Sequence, residues 1–102
     1  MSSSANKVTQ TRAVGVNVSA DSLSVVLADG RTITAPLEWY PRLKKGTPKE
    51  RSRWQLIGDG VGVHWPDLDE DISIESLLQG RGSNESPASM SRWLAARRHN
   101  KT

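Results

Sequence analysis

The chain of 102 residues contains no cysteine, no phenylalanine and a single tyrosine. The absence of cysteine excludes disulfides, thiolate metal sites and cysteine nucleophiles. No run of about 18 apolar residues occurs, so the sequence predicts no membrane-spanning helix. The first residues, Met1 to Lys7, are polar and lack the apolar segment of a secretory signal. We therefore expect a cytoplasmic protein that does not contact a membrane.

The aromatic residues that are present are concentrated in one part of the chain. Three of the four tryptophans and the tyrosine lie between residues 39 and 65. A domain without phenylalanine needs tryptophan for its core, so a packed corner is one interpretation. Trp, Tyr and Arg are also enriched at binding hot spots, and the two interpretations are compatible if Trp54 lies inside and Tyr40 at the rim. The predicted partner-binding residues are Trp39, Tyr40, Arg42, Arg51, Trp54, His64, Trp65 and Trp93.

The first half of the chain shows the period-two alternation that is typical of half-buried strands. Apolar residues alternate with small or polar ones in the segments 14–18, 23–27 and 33–37. Between the second and third segments, Asp29-Gly30 predicts a type I′ hairpin turn. Residues 13–37 are thus predicted to form a three-stranded antiparallel meander.

Short helices and a second hairpin are predicted after the meander. The segment Thr47 to Glu50 has the form of a helix start, with Thr at the N-cap, Pro at the next position and Glu two residues later. Strands on either side of Gly58-Asp59-Gly60 predict the hairpin. Asp71 or Ser73 is expected to cap a short helix that Gly80 ends. The predicted fold class is α+β: an antiparallel β-meander plus a second hairpin, packed with short helices, and a C-terminal amphipathic helix.

The sequence divides into four parts. We predict a disordered N-terminal tail at 1–12, an α+β domain at 13–80, a linker at 81–86 and a basic amphipathic helix at 87–102. Residues 1–80 contain nine Lys/Arg and ten Asp/Glu, whereas residues 81–102 contain five and one. Basic runs of this kind contact phosphate or acidic proteins, or they form a solvated face. The candidates for nucleic-acid contact are Lys44, Lys45, Arg92, Arg97, Arg98 and Lys101.

Neither a catalytic site nor a metal site is predicted. His64 is followed by the acidic segment Asp67 to Asp71, which could orient its ring, but the sequence singles out no hydroxyl nucleophile. An EF-hand loop that starts at residue 67 would need Gly and Glu where Ile72 and Leu78 stand. We interpret the aspartates as helix caps and expect no enzyme, no metal and no cofactor.

Several short segments occur together in the order known from one bacterial family. They are Asp29-Gly30-Arg31, Trp39 to Leu43, Glu50 to Trp54, the glycine-rich hairpin, His64 to Ser73 and Leu77 to Gly80. Over residues 13–80 the chain resembles the small prokaryotic proteins of domain of unknown function 2442. The resemblance implies an α+β domain, often encoded beside a second small domain in an arrangement suggesting toxin–antitoxin pairs. It implies no catalytic residues.

The first functional hypothesis is a non-enzymatic protein-interaction module, the antitoxin-like member of such a pair. It would bind and occlude a cognate small toxin-like protein. The alternative is a nucleic-acid-binding or autoregulatory protein that uses the basic segment and the tail, with strongly salt-dependent affinity. Three arrangements of the C-terminal helix stay open: docking on its own domain, a homodimer contact, or insertion into a partner's groove.

Overall fold

The computed structural model describes residues 11–99, with the backbone alone for residue 99. Within this range the chain folds into two three-stranded antiparallel sheets, several short helices and one longer C-terminal helix, which confirms the predicted α+β class. The tail predicted for residues 1–12 lies almost entirely outside the described residues. So do the last residues of the helix predicted for 87–102.

Each sheet contains three consecutive strands, in the orders β1-β2-β3 and β4-β5-β6. The strands are β1 Ala13–Val18, β2 Ser22–Leu27, β3 Thr32–Pro36, β4 Gln55–Ile57, β5 Gly62–Trp65 and β6 Glu70–Ser73. The helices are α1 Pro41–Lys45, α2 Pro48–Ser52, α3 Ile74–Leu78 and α4 Pro87–His99, with 3₁₀ turns at Leu37–Trp39 and Gly58–Gly60. The chain thus forms one sheet, crosses over through short helices and then forms the second sheet.

The turn between β2 and β3 is not the predicted type I′ turn. The N–H of Gly30 donates to the carbonyl of Leu27 at 3.0 Å, and the N–H of Leu27 donates to the carbonyl of Arg31 at 2.8 Å. Of these turn residues Gly30 alone has a positive φ, +97°, whereas a type I′ turn needs two. The observed turn is longer and contains a glycine bulge at Gly30. The Asp29 carboxylate stabilises this turn by accepting the N–H of Arg31 at 3.0 Å.

The acidic part of the sequence forms strand β6, where only a helix cap was expected. Its residues alternate, with Glu70 and Ile72 buried and Asp71 and Ser73 exposed. The second hairpin is therefore a three-stranded sheet. Asp71 does not cap α3, because it lies two residues before the N-cap position and its carboxylate is hydrogen-bonded to His64. The hydroxyl of Ser73 is the cap and accepts the N–H of Ser76 at 3.0 Å.

A single apolar core joins the two sheets. Trp65 is completely buried, and its Nε1–H donates to the carbonyl of Arg51 at 3.0 Å. A Cβ atom at Gly60 would lie 2.4 Å from the carbonyl oxygen of Ala13, so glycine allows the second 3₁₀ turn to touch β1. The buried apolar residues are Ala13, Leu23, Val25, Leu27, Ala35, Leu37, Tyr40, Leu43, Val63, Trp65, Leu68, Ile72, Ile74 and Leu77.

The helices contribute less apolar surface than the sheets do. The capping box of α2 is confirmed, since Thr47 Oγ1 accepts the N–H of Glu50 at 3.1 Å and Glu50 Oε1 accepts the N–H of Thr47 at 2.8 Å. Along α4 the larger apolar side chains, Met90, Trp93 and Leu94, are only partly buried. No helix formed by residues 11–99 is long and apolar enough to cross a membrane.

Candidate interaction surfaces

The structure separates the aromatic residues that the sequence groups together. Tyr40 and Trp65 are core residues, 3% and 0% exposed, so neither offers a surface to a partner. Trp54 is partly buried against the core, and Trp39 is 38% exposed. The expected position of Tyr40 at the rim is therefore wrong, whereas Trp54 packs against the core without being fully buried. The Tyr40 hydroxyl donates to the carbonyl of Arg81 at 3.3 Å, and this bond ties the segment after α3 to the domain.

Trp93 anchors α4 to the rest of the domain. Two guanidinium groups lie over its ring, with Arg42 Cζ 5.4 Å and Arg97 Cζ 4.7 Å from the ring centroid. Both distances are within the range of a cation–π interaction. The Nε1–H of Trp93 also donates to the carbonyl of Leu68 at 3.0 Å. α4 thus folds back on its own domain, one of the three arrangements that the sequence leaves open.

Two arginine–glutamate pairs fix the guanidinium groups around Trp93. Arg42 donates to both carboxylate oxygens of Glu85, at 2.6 and 3.1 Å, and to the carbonyl of Asp69 at 2.7 Å. Arg97 donates to both oxygens of Glu50, at 3.1 and 3.2 Å. Hydrogen bonds from Arg42 lower the pKa of Glu85, and those from Arg97 lower the pKa of Glu50. We call Arg42, Glu50, Glu85, Trp93 and Arg97 the α4 clasp.

The basic residues proposed for nucleic-acid contact do not form one free surface. Arg97 belongs to the α4 clasp, and Lys44 lies 3.4 Å from the carboxylate of Glu38. Arg51, predicted as a partner-binding residue, donates instead to the carbonyls of Leu43 and Lys44 at the end of α1. The exposed candidates are Lys44, Lys45, Arg92 and Arg98. Lys101 lies outside the described residues.

His64 occupies the outer face of the second sheet. It is opposite Gln55 on one side and Asp71 on the other, and its Nδ1 is hydrogen-bonded to Asp71 Oδ1. The pair orients the imidazole ring across the strands, which is a structural role for one of the predicted partner-binding residues. In the described part of the chain, no group of three or more His, Asp or Glu residues could hold a metal ion.

Strand β4 forms an exposed edge that sequence reasoning did not single out. Among residues 11–99 it pairs with β5 alone, so one side of the strand is open. Leu56 and Ile57 are 40% and 41% exposed, and Val61, in the following turn, is 39% exposed. The strand itself contains no charged residue. The pattern of the sequence indicates a strand here but does not show which of its sides remains unpaired.

A polar cleft of about 570 Å³ lies at the opposite edge of the same sheet, between β6, α3 and the segment that leads to α4. Glu70 lines this cleft, is 8% exposed, and has no hydrogen-bond partner for Oε2 among the described residues. Its burial raises the pKa of the carboxyl to about 7. The burial of Glu70 could not be predicted from the sequence, because Glu70 belongs to an acidic run. Only the register of β6 shows that its side chain points inward.

The family assignment follows from residues 13–83, which match the model of the family described as "Protein of unknown function (DUF2442)". The chain belongs to this family. The match confirms the resemblance and includes both sheets, α1, α2 and α3, as well as Glu70. It ends before α4, so most of the α4 clasp is formed between family residues and a helix beyond them.

Two solved structures share the fold. A crystal structure of a protein of unknown function from Rhodospirillum rubrum is 27% identical, with a TM-score of 0.62, over 78% of this chain and 96% of that one. A solution structure of an uncharacterized protein from Chromobacterium violaceum is 21% identical, with a TM-score of 0.66, over 87% and 82%. No curated protein matches the chain.

Proposed function

We propose that this protein is a non-enzymatic interaction module that binds a partner protein along the open edge of β4. The observation that carries the proposal is the exposure of three apolar residues, Leu56, Ile57 and Val61, on and beside a strand whose outer backbone is unpaired. Edge strands are usually protected by charge, proline or a covering segment, because unpaired N–H and C=O groups recruit other chains. β4 contains neither charge nor proline, and its length of three residues is the one protective feature that the strand itself has.

The mode of binding would be addition of a strand from the partner. Main-chain hydrogen bonds along β4 would supply affinity, and pockets between alternate side chains would supply specificity. Leu56 and Ile57 point to opposite faces of the sheet, so an added strand would contact apolar surface on both faces. Trp39 is the exposed tryptophan of the predicted partner-binding set, and tryptophan is one of the residue types enriched at binding hot spots.

The partner that we propose is a cognate small toxin-like protein, which places this chain as the antitoxin-like member of a two-gene pair. Its action would be occlusion of the partner's active surface. The support for this finer role is the family resemblance described above together with the open edge. A nucleic-acid-binding or autoregulatory function has less support, because Arg97 and Arg51 are engaged in intramolecular hydrogen bonds.

The experiment is a tagged purification from the native host at low salt, with nuclease, followed by mass spectrometry. We compare the wild type with Leu56→Lys, which places charge on the edge, and with Val26→Lys as the matched control. Val26 is 41% exposed but lies on the central strand of the first sheet. We expect a stoichiometric small protein with the wild type and with Val26→Lys, and its loss with Leu56→Lys.

Recovery of the wild-type protein alone would contradict the interaction proposal. Retention of the partner by Leu56→Lys would exclude the β4 edge as the binding surface. A recovered partner is then expressed in a neutral host alone and together with this protein. Growth arrest by the partner and its relief by the wild type, but not by Leu56→Lys, is the outcome expected of an occluding antitoxin.

A further inference from the structure

We infer that the cleft beside β6 is a binding site for a primary ammonium group, which pairs with the carboxylate of Glu70. The inference goes beyond the proposed partner contact and does not rest on it, since β4 and β6 are opposite edges of one sheet. The ammonium group belongs either to a small amine or to a lysine side chain presented by another molecule. Both carry the same chemistry, and the experiment below distinguishes them.

The first observation is the unsatisfied state of Glu70. Its side chain is buried in the wall of the cleft, and Oε2 makes no hydrogen bond to any described residue. Buried polar atoms are almost always hydrogen-bonded, and a buried carboxylate without a paired cation is costly. An ionised Glu70 at this place would therefore be stabilised by a donor that approaches its carboxylate from the cleft.

The second observation is that the neighbouring charges do not compensate Glu70. Tyr40, Arg42 and Glu85 lie near it, and Asp71, its neighbour in the chain, has its side chain on the other face of β6. Arg42 is the one cation among them, and its guanidinium already binds Glu85 in a fork and the carbonyl of Asp69. Burial of Glu70 outweighs the attraction of Arg42, so the pKa of the carboxyl is raised to about 7. The surroundings of Glu70 thus favour an additional positive group.

The lining of the cleft selects an ammonium group over other cations. Besides Glu70 it presents hydroxyl groups, from Ser73, Ser76 and Ser83. An ammonium is a compact charge with three donors, which suits a single carboxylate in a cleft that is also lined by serines. A guanidinium donates in a flat fork to paired oxygens, and Ca²⁺ or Mg²⁺ needs several oxygen ligands. The adjacent carboxylate of Glu85 is occupied by Arg42 and is not available to complete either set.

The test is an NMR titration of the ¹⁵N-labelled protein at pH 8, where Glu70 is mostly ionised, with propylammonium chloride as the probe. We expect saturable shifts of the backbone amides of residues 70–76 and 81–85. Glu70→Gln keeps the shape and removes the charge, and we expect it to weaken binding roughly 10- to 100-fold, as for loss of a charge-assisted hydrogen bond. The control Glu75→Gln removes an exposed carboxylate of α3 outside the cleft lining and leaves binding unchanged.

Two further measurements keep the inference falsifiable. Ser76→Leu fills the cleft without altering a charge and is expected to weaken binding as Glu70→Gln does. Tetramethylammonium, which has no N–H donor, is expected to bind far more weakly than propylammonium. The absence of saturable shifts, equal binding by Glu70→Gln, or equal binding of tetramethylammonium would each overturn the inference.

The source of the ammonium is distinguished with two longer probes. 1,4-Diaminobutane represents a free amine, and a short peptide with one central lysine represents a presented side chain, with the norleucine peptide as its control. Tighter binding of the diamine supports a small-molecule ligand, and tighter binding of the lysine peptide supports a protein ligand. Equal binding of the lysine and norleucine peptides would exclude a presented lysine as the ligand, and a diamine that binds no more tightly than propylammonium would exclude selection of a diamine.

Discussion

The two-sheet domain and the C-terminal helix are held together by different forces. The domain buries a continuous apolar cluster that includes Trp65, Leu23 and Leu43, each completely inaccessible to solvent. α4 instead docks through the partly buried Trp93 and the pair Arg97–Glu50, while the pair Arg42–Glu85 holds the segment that precedes it. Apolar burial is insensitive to moderate changes of salt and pH, whereas ion pairs that keep some access to solvent, such as Arg97–Glu50, depend on both. α4 is therefore expected to respond to conditions under which the domain stays folded.

The largest effect is expected from removing the centre of the apolar cluster. Trp65→Ala deletes a fully buried side chain and leaves the carbonyl of Arg51 without its donor. We expect a loss of about 3–5 kcal/mol in the free energy of unfolding, which is enough to unfold a small domain. Urea denaturation followed by circular dichroism measures it. Trp39→Ala, at a partly exposed position, is the control, and an equal loss there would contradict the assigned core.

The next effect concerns Glu70, which belongs to the domain but faces the cleft. Its pKa is raised from 4.5 to about 7 in the folded state, so between these values the folded protein binds more protons than the unfolded one. Stability then falls as pH rises through this window, by about 2 kcal/mol. Glu70→Gln should remove this slope. Urea unfolding at pH 5 and pH 8 measures the difference, and an unchanged slope in Glu70→Gln would assign it to another group.

A smaller effect, confined to α4, is expected for Trp93→Ala. The substitution removes both cation–π contacts and the hydrogen bond to Leu68, together about 1–3 kcal/mol of docking free energy. A free helix of this length is marginal in water, so α4 should lose helical content once it is released. Hydrogen exchange measured by NMR should accelerate in α4 and stay slow in β5. Arg98→Ala, at an exposed position of the same helix, should leave both unchanged.

If Trp93→Ala instead accelerates exchange throughout β5 as well, the helix and the domain unfold as one unit. The helix and the domain would then not differ in their stability toward unfolding. An effect restricted to α4 would support the difference in stability between the helix and the domain, and it would show that the family domain folds without this helix.

The sequence predicts the local structure of this protein better than its surfaces. Period-two alternation is enough to predict the first sheet, and the cap residues are enough to predict α2. The strand β6 escapes prediction because its inward residues, Glu70 and Ile72, are not both apolar. Trp93 and Arg42 are far apart in the sequence, and only tertiary packing brings their side chains together. For the same reason the open edge of β4 has no signature in the sequence.

The smallest effect is expected from high salt, which weakens the ion pairs of the α4 clasp and leaves its apolar contacts in place. At about 1 M salt the screening length falls to about 3 Å, and we expect docking of α4 to weaken by about 0.5–1 kcal/mol, as for partly exposed ion pairs. Hydrogen exchange of the Trp93 indole N–H, which is bonded to Leu68, reports the docking. The double variant Glu50→Gln/Arg97→Gln removes one ion pair and should lose about half of the salt response. An equal response in this variant would assign the salt dependence to Arg42 and Glu85 alone, because theirs is the other ion pair of the clasp.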